Sequence, residues 1–116
     1  MNHSMKLIKE QYEMISSGKK TIEIRVLDEK RRKLNVGDII EFSKLPDLKD
    51  KIKVKITALL KYGSFNELIN SVNMKNLGYS DNYSKENFLK LCYSIYSKDL
   101  EQKYGVVGIK ISLIKT

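Results

Sequence analysis

The chain has 116 residues, a formal net charge of +8, and 41% hydrophobic against 31% charged residues, which describes one folded domain with a single core. A lone cysteine, Cys92, excludes an internal disulfide and a thiolate metal cluster, and the lone histidine, His3, sits in the first few residues, which speaks against a Ser-His-Asp triad or a Cys-His dyad, so neither a metal nor another cofactor is expected. No apolar run approaches the ~18 residues of a membrane span and no signal-peptide pattern opens the chain, so the expected location is the cytoplasm and the positive charge suits an anionic partner rather than a membrane.

Residues 1–4 read as an extension ahead of Met5. Ile8, Tyr12 and Ile15 recur at helical spacing, and Gly18 can end that helix. Residues 21–27 alternate strictly, with Ile22, Ile24 and Val26 on one face and Thr21, Glu23 and Arg25 on the other, as in a half-buried strand. Residues 28–33 form a charged turn. Asn35-Val-Gly-Asp38 turns into a strand from Ile39, and the chain reverses near Pro46. From Lys51 a longer strand sets Ile52, Val54, Ile56 and Ala58 inward and Lys51, Lys53 and Lys55 toward water. Ser64-Phe-Asn-Glu67 has the form of a capping box, Ser84 can cap a helix with the stripe Phe88, Leu91, Cys92 and Ile95, and Ser97 can open a third helix that Gly105 closes. A Val- and Ile-rich strand follows from Val106. The order predicts an α+β fold: a small, mostly antiparallel β-barrel of five or six strands, with residues 64–104 mainly helical and packed over one opening.

Gly18-Lys-Lys-Thr-Ile-Glu-Ile-Arg25, placed after a short amphipathic helix, resembles the signature of the ASCH family, whose fold is a PUA-like β-barrel. Asp28-Glu-Lys-Arg-Arg32 is similar to the charged turn of bacterial members, and Val36-Gly-Asp38 to the turn before the next strand. Tyr96-Ser-Lys and Lys103-Tyr-Gly-Val-Val-Gly-Ile109 resemble the end of a bacterial subgroup. The resemblance covers nearly the whole chain and implies a bacterial, single-domain member over residues 1–116. It also implies RNA-related work: binding of RNA or action on modified nucleosides. One branch holds metal-independent amidohydrolases that deacetylate N4-acetylcytidine with a lysine, a threonine and a glutamate, and ribonuclease activity has been ascribed to a member. The branch's lysine falls on Lys20, whereas its threonine position is occupied by Glu23. Its glutamate has no clear counterpart, Glu67 being the candidate.

Lys20 stands at the start of a strand, where it can donate to a phosphate or a carbonyl, or serve as a base if partly buried. Glu23 and Arg25 share a strand face with Thr21 and could read a base edge, the carboxylate accepting from an amine and the guanidinium donating. Glu23 could equally serve as a general base beside Lys20, or pair structurally with Arg25. Lys30, Arg31 and Arg32 are candidate phosphate contacts, with internal pairing to Asp28 and Glu29 as the alternative. Tyr96 and Tyr104, near helix ends, could stack on a base or pack on the core. Cys92 reads as a core residue. Three functions follow in order of preference: a module binding RNA or a nucleotide in a cleft between barrel and helical insert; a metal-independent hydrolase of a modified nucleoside or of RNA, with Lys20 and Glu23 central; and a protein-interaction module.

Overall fold

Alternation of apolar and polar residues produces five strands, and a computed structural model of the chain describes residues 1–114. In chain order the elements are β1 (Asn2–Leu7), α1 (Lys9–Ser16), β2 (Ile22–Val26), β3 (Ile39–Lys44), β4 (Lys51–Tyr62), α2 (Phe65–Ser71), α3 (Lys85–Ile95), α4 (Lys98–Tyr104) and β5 (Val106–Leu113). They form one curled sheet, a half-barrel of order β1-β3-β4-β5-β2. Every neighbouring pair is antiparallel except β1 with β3. This is the expected α+β, PUA-like architecture.

The sheet buries two cores, because each strand's alternation serves a different cover. On the concave side Phe42, Val54, Ile56, Val107 and Ile109 pack beneath Tyr12 and Ile15 of α1. At the other end Ile22, Ile24 and Val26 of β2 pack against Phe65, Leu68, Phe88 and Cys92 of α2 and α3. A register shift between Ile56 and Ala58 lets β4 serve both cores: Leu59 then joins the first and Leu60 the second. The three helices of the insert start on serines whose hydroxyls accept the third backbone N–H, from Glu67, Asn87 and Leu100 at 3.1–3.2 Å.

Two features depart from expectation. Asn2, His3 and Ser4, read as a leading extension, belong to β1 and pair with Ile39, Ile40 and Glu41. His3 is tied there by Nε2 to Asp38 Oδ2 at 2.8 Å. Only Met5 and Leu7 of β1 are buried, which is too little alternation to mark a strand. The second departure concerns closure. Among the described residues no backbone ladder joins the edge strands β1 and β2; instead Arg25 Nη2 donates to the Lys6 carbonyl at 3.0 Å and Lys30 Nζ to the Ser4 carbonyl at 2.7 Å. Side chains span the seam.

Candidate functional site

The site grows from the short connection between α1 and β2. Lys20 follows the helix end, where its N–H donates to the Met14 carbonyl at 3.0 Å and its backbone bridges to Leu77. The chain crosses over it at Gly78 (φ +93°), where a Cβ would lie 2.5 Å from the Met14 sulfur and 3.3 Å from the Lys20 Cβ. That packing leaves the Lys20 side chain one course, inward. It is 7% exposed, and its ammonium lies 2.8 Å from Glu23 Oε1 and donates to the Gln11 amide oxygen.

Glu23 is the centre of the cluster. In the β2–β5 register it faces the concave side beside Ile109, while Arg25 stands beside Val107. Glu23 is 5% exposed; Oε1 takes Lys20, and Oε2 takes Arg25 through both Nε and Nη2 at 2.8 Å. Burial would raise the carboxyl pKa, but Lys20 and Arg25 more than offset it and hold Glu23 below the usual carboxylate range. Burial also works against the Arg25 charge, yet Glu23 and the Tyr96 hydroxyl beside it keep the guanidinium pKa above its ordinary value. The phenol of Tyr96 is raised by burial, with Arg25 opposing. The three charges are therefore a fixed, mutually satisfied network.

This network floors a cleft of about 260 Å³ between the sheet mouth and α3. Its walls are apolar: Ile8 and Leu45 on one side, Leu91, Cys92 and Ile95 on the other, with Tyr96 at the end. Ile8 and Ile95 are 52% and 63% exposed. Both were expected in helical core stripes; instead Ile8 sits at the N-cap of α1 and Ile95 ends α3, so each leaves the core for the rim. Burial pushes the Cys92 thiol up to about 12, as befits a wall residue rather than a nucleophile. Tyr96 stacks on Phe65 at 5.8 Å between ring centroids, so one of its faces is already covered.

Of the residues singled out from sequence, the structure brings together Lys20, Glu23, Arg25 and Tyr96. The others lie outside the cleft lining. Thr21 is exposed, and its backbone joins Asn76 and Ile111. Lys30 spans the seam, Arg31 pairs with Asp28 at 3.0 Å, and Arg32 donates to the Tyr104 carbonyl at 3.1 Å. Tyr104 packs at the edge of the second core. Glu67 is exposed on α2. Gln11 is the polar residue that sequence reasoning missed: it orients Lys20 and donates to the Tyr79 hydroxyl at 3.4 Å. Its only signal was its place one residue before buried Tyr12.

The ASCH domain profile matches residues 5–115. This chain belongs to the ASCH domain family. Among solved structures it is similar to the hypothetical protein PH0355, at 37% identity over 98% of this chain and 100% of that one, with a TM-score of 0.85. It is also similar to the protein PF0455 from Pyrococcus furiosus, at 34% identity over 100% of both chains, with a TM-score of 0.77. That relative is archaeal, so the resemblance is not a mark of bacteria. The S128A mutant of ZmASCH from Zymomonas mobilis shares the fold at 16% identity, with a TM-score of 0.61 over 94% of this chain and 66% of that one. Among curated proteins none matches. No helix among the described residues is long and apolar enough to cross a membrane.

Proposed function

We propose that this ASCH domain binds RNA, or a nucleotide-like ligand, by taking one base into the cleft between the sheet and α3. The observation that carries this reading is the buried Lys20–Glu23–Arg25 network at the floor of an apolar-walled cleft. A base has apolar faces and a polar edge, and the cleft offers the matching surfaces. Arg25 gives three of its five N–H groups to Glu23 and the Lys6 carbonyl and lies in hydrogen-bond reach of the Tyr96 hydroxyl, which leaves at least one to donate, and each Glu23 oxygen keeps lone-pair capacity beyond its present bonds. Donor and acceptor thus sit side by side, the pattern that pairs with an adjacent carbonyl and amine on a base edge. Tyr96 and the two rim isoleucines cover the faces.

Binding is favoured over hydrolysis because the two groups a hydrolase would use are bonded to one another. Two of the three Lys20 protons are directed at Glu23 and Gln11, and the Glu23 carboxylate is held between two cations. Neither is poised to take a proton from water. The test is to incubate the protein with N4-acetylcytidine, and separately with single-stranded RNA, in the presence of a chelator. Binding of nucleoside or RNA without turnover, weakened at least tenfold by Arg25→Gln, is the expected result. Turnover that Lys20→Met abolishes would overturn the assignment in favour of the hydrolase.

A further inference from the structure

The basic turn at 30–32 is engaged internally: Lys30 on the Ser4 carbonyl, Arg31 on Asp28 and Arg32 on the Tyr104 carbonyl. Free positive charge gathers elsewhere, on the outer face of the sheet. Along β4, Lys51, Lys53 and Lys55 are exposed and alternate with inward Ile52, buried Val54 and buried Ile56, so all three stand on the face turned away from the core. Their spacing is about 6.8 Å, two strand residues, comparable with that of successive phosphates along an extended single strand. β5 adds exposed Lys110, in register with Ala58 just beyond the bulge. α1 covers the concave core, and on the outer face α2 and α3 cover only the β2 end, over Ile22, Ile24 and Val106, up to the position of Lys110.

Among the described residues one carboxylate faces this row: Glu41 of β3 opposes Lys53 in register and comes within 3.8 Å of Lys51. Asp50, one residue before β4, turns to the α1 side, where it pairs with Lys44 at 3.0 Å beside Tyr12. Lys53, Lys55 and Lys110 have no side-chain partner among the described residues. The row also leads somewhere. Lys51 is in register with Ser43 of β3, and Ser43 with Lys6 of β1, a lateral step of two strand spacings, about 10 Å. Lys6 lines the cleft.

We propose that the outer face of the sheet is a phosphate track for single-stranded RNA, leading from the cleft over Lys6 and Lys51 to Lys53 and Lys55. It extends the cleft reading and rests on it for its starting point. Lysine suits such a track, because a compact charge on a flexible stem neutralises a phosphate without reading a base. Beside half-buried Ile39, opposite Lys55, and exposed Ile114, next to Lys53, the face offers the polar Ser4, Glu41 and Ser112, a mixture with no broad apolar face, which favours a nucleic-acid backbone over a bilayer.

The experiment is an anisotropy titration of a labelled, mixed-sequence single-stranded RNA of about a dozen nucleotides at several salt concentrations. It compares the wild-type chain, Lys53→Gln/Lys55→Gln, and the equal-charge control Lys75→Gln/Lys90→Gln on the helical insert. Removing two contacts should flatten the log–log salt slope by about 1.4, at ~0.7 per phosphate, with the control changing it by less than half as much. Equal slopes in both variants, or no change in either, would overturn the track. Free cytidine, followed by NMR, separates the two ideas. Unchanged cytidine binding in Lys53→Gln/Lys55→Gln supports the track as distinct from the cleft. A flattened RNA slope with no cytidine binding by any form would leave the track standing and remove the cleft reading. Capture by phosphatidylglycerol vesicles that is lost in Lys53→Gln/Lys55→Gln, with RNA binding unaltered, would overturn it in favour of a membrane surface.

Discussion

Replacing Glu23 with Gln keeps the shape of the site and removes the one negative charge between two buried cations. Lys20 and Arg25 would then face each other across a neutral amide, with their side chains 6% and 12% exposed. Breaking a buried pair by removing one partner costs roughly 3–5 kcal/mol, a large part of the ~5–15 kcal/mol that holds a domain together. We take the lower figure, since Gln can still accept one bond. At about 2.1 cal/mol/K per residue the unfolding entropy of 116 residues is roughly 0.24 kcal/mol/K, so ~3 kcal/mol lowers the midpoint by about 12 °C. The pH dependence has a fixed sign. The folded pKa of Glu23 lies below its unfolded value, so its stabilisation is complete above the ordinary carboxyl pKa of about 4.3 and is lost as pH falls through the folded value. The gap between wild type and Glu23→Gln should be constant from pH 7 to about 5 and narrow below about 4.3. Adding Lys20→Met to Glu23→Gln should recover part of the loss. Thermal unfolding followed by circular dichroism reads all three. A deficit below about 1 kcal/mol at pH 7, the range of solvated surface pairs, would refute the buried-network account.

Three further outcomes follow from the packing. Gly105→Ala, at φ +74° with its Cβ 2.9 Å from the Tyr62 carbonyl, should lower stability by about 2 kcal/mol or more in urea unfolding. Cys92, with its thiol pushed up to about 12, should resist a thiol reagent at pH 8 in the native protein and react at once in denaturant. Glu101→Ala should cost roughly 2–3 kcal/mol in the same urea assay, because it leaves the buried Phe65 N–H and the Tyr93 hydroxyl without the carboxylate they now donate to at 2.8 and 2.9 Å.

What was legible in the sequence is what local alternation encodes. β2 and β4 could be read because apolar and polar residues alternate over five or more positions, and the helix starts because Ser64, Ser84 and Ser97 are chemically suited to cap. β1 could not, because an edge strand that buries only Met5 and Leu7 carries half a pattern. Periodicity also says that Ile8 and Ile95 are apolar but not whether a helix end carries them past the core, and both lie on the cleft rim. At the site, Glu23 and Arg25 on one strand face could be anticipated. Their burial could not, since it depends on α3 closing over an edge strand from about 65 residues further along. The arginine turn misled for a related reason: clustered charge shows no partners, and two of the partners here are backbone carbonyls of Ser4 and Tyr104.

A base seated in the cleft over Lys20, Glu23 and Arg25 would be mapped by the amide shifts of a ¹⁵N-labelled sample titrated with free cytidine and then with short single-stranded RNA. Both ligands should move the signals of Ile8, Gln11, Glu23, Arg25 and Ile95, and Arg25→Gln should remove those shifts while the rest of the spectrum stays folded. Shifts confined to residues outside the cleft, with these five signals unmoved at saturating RNA, would contradict that placement.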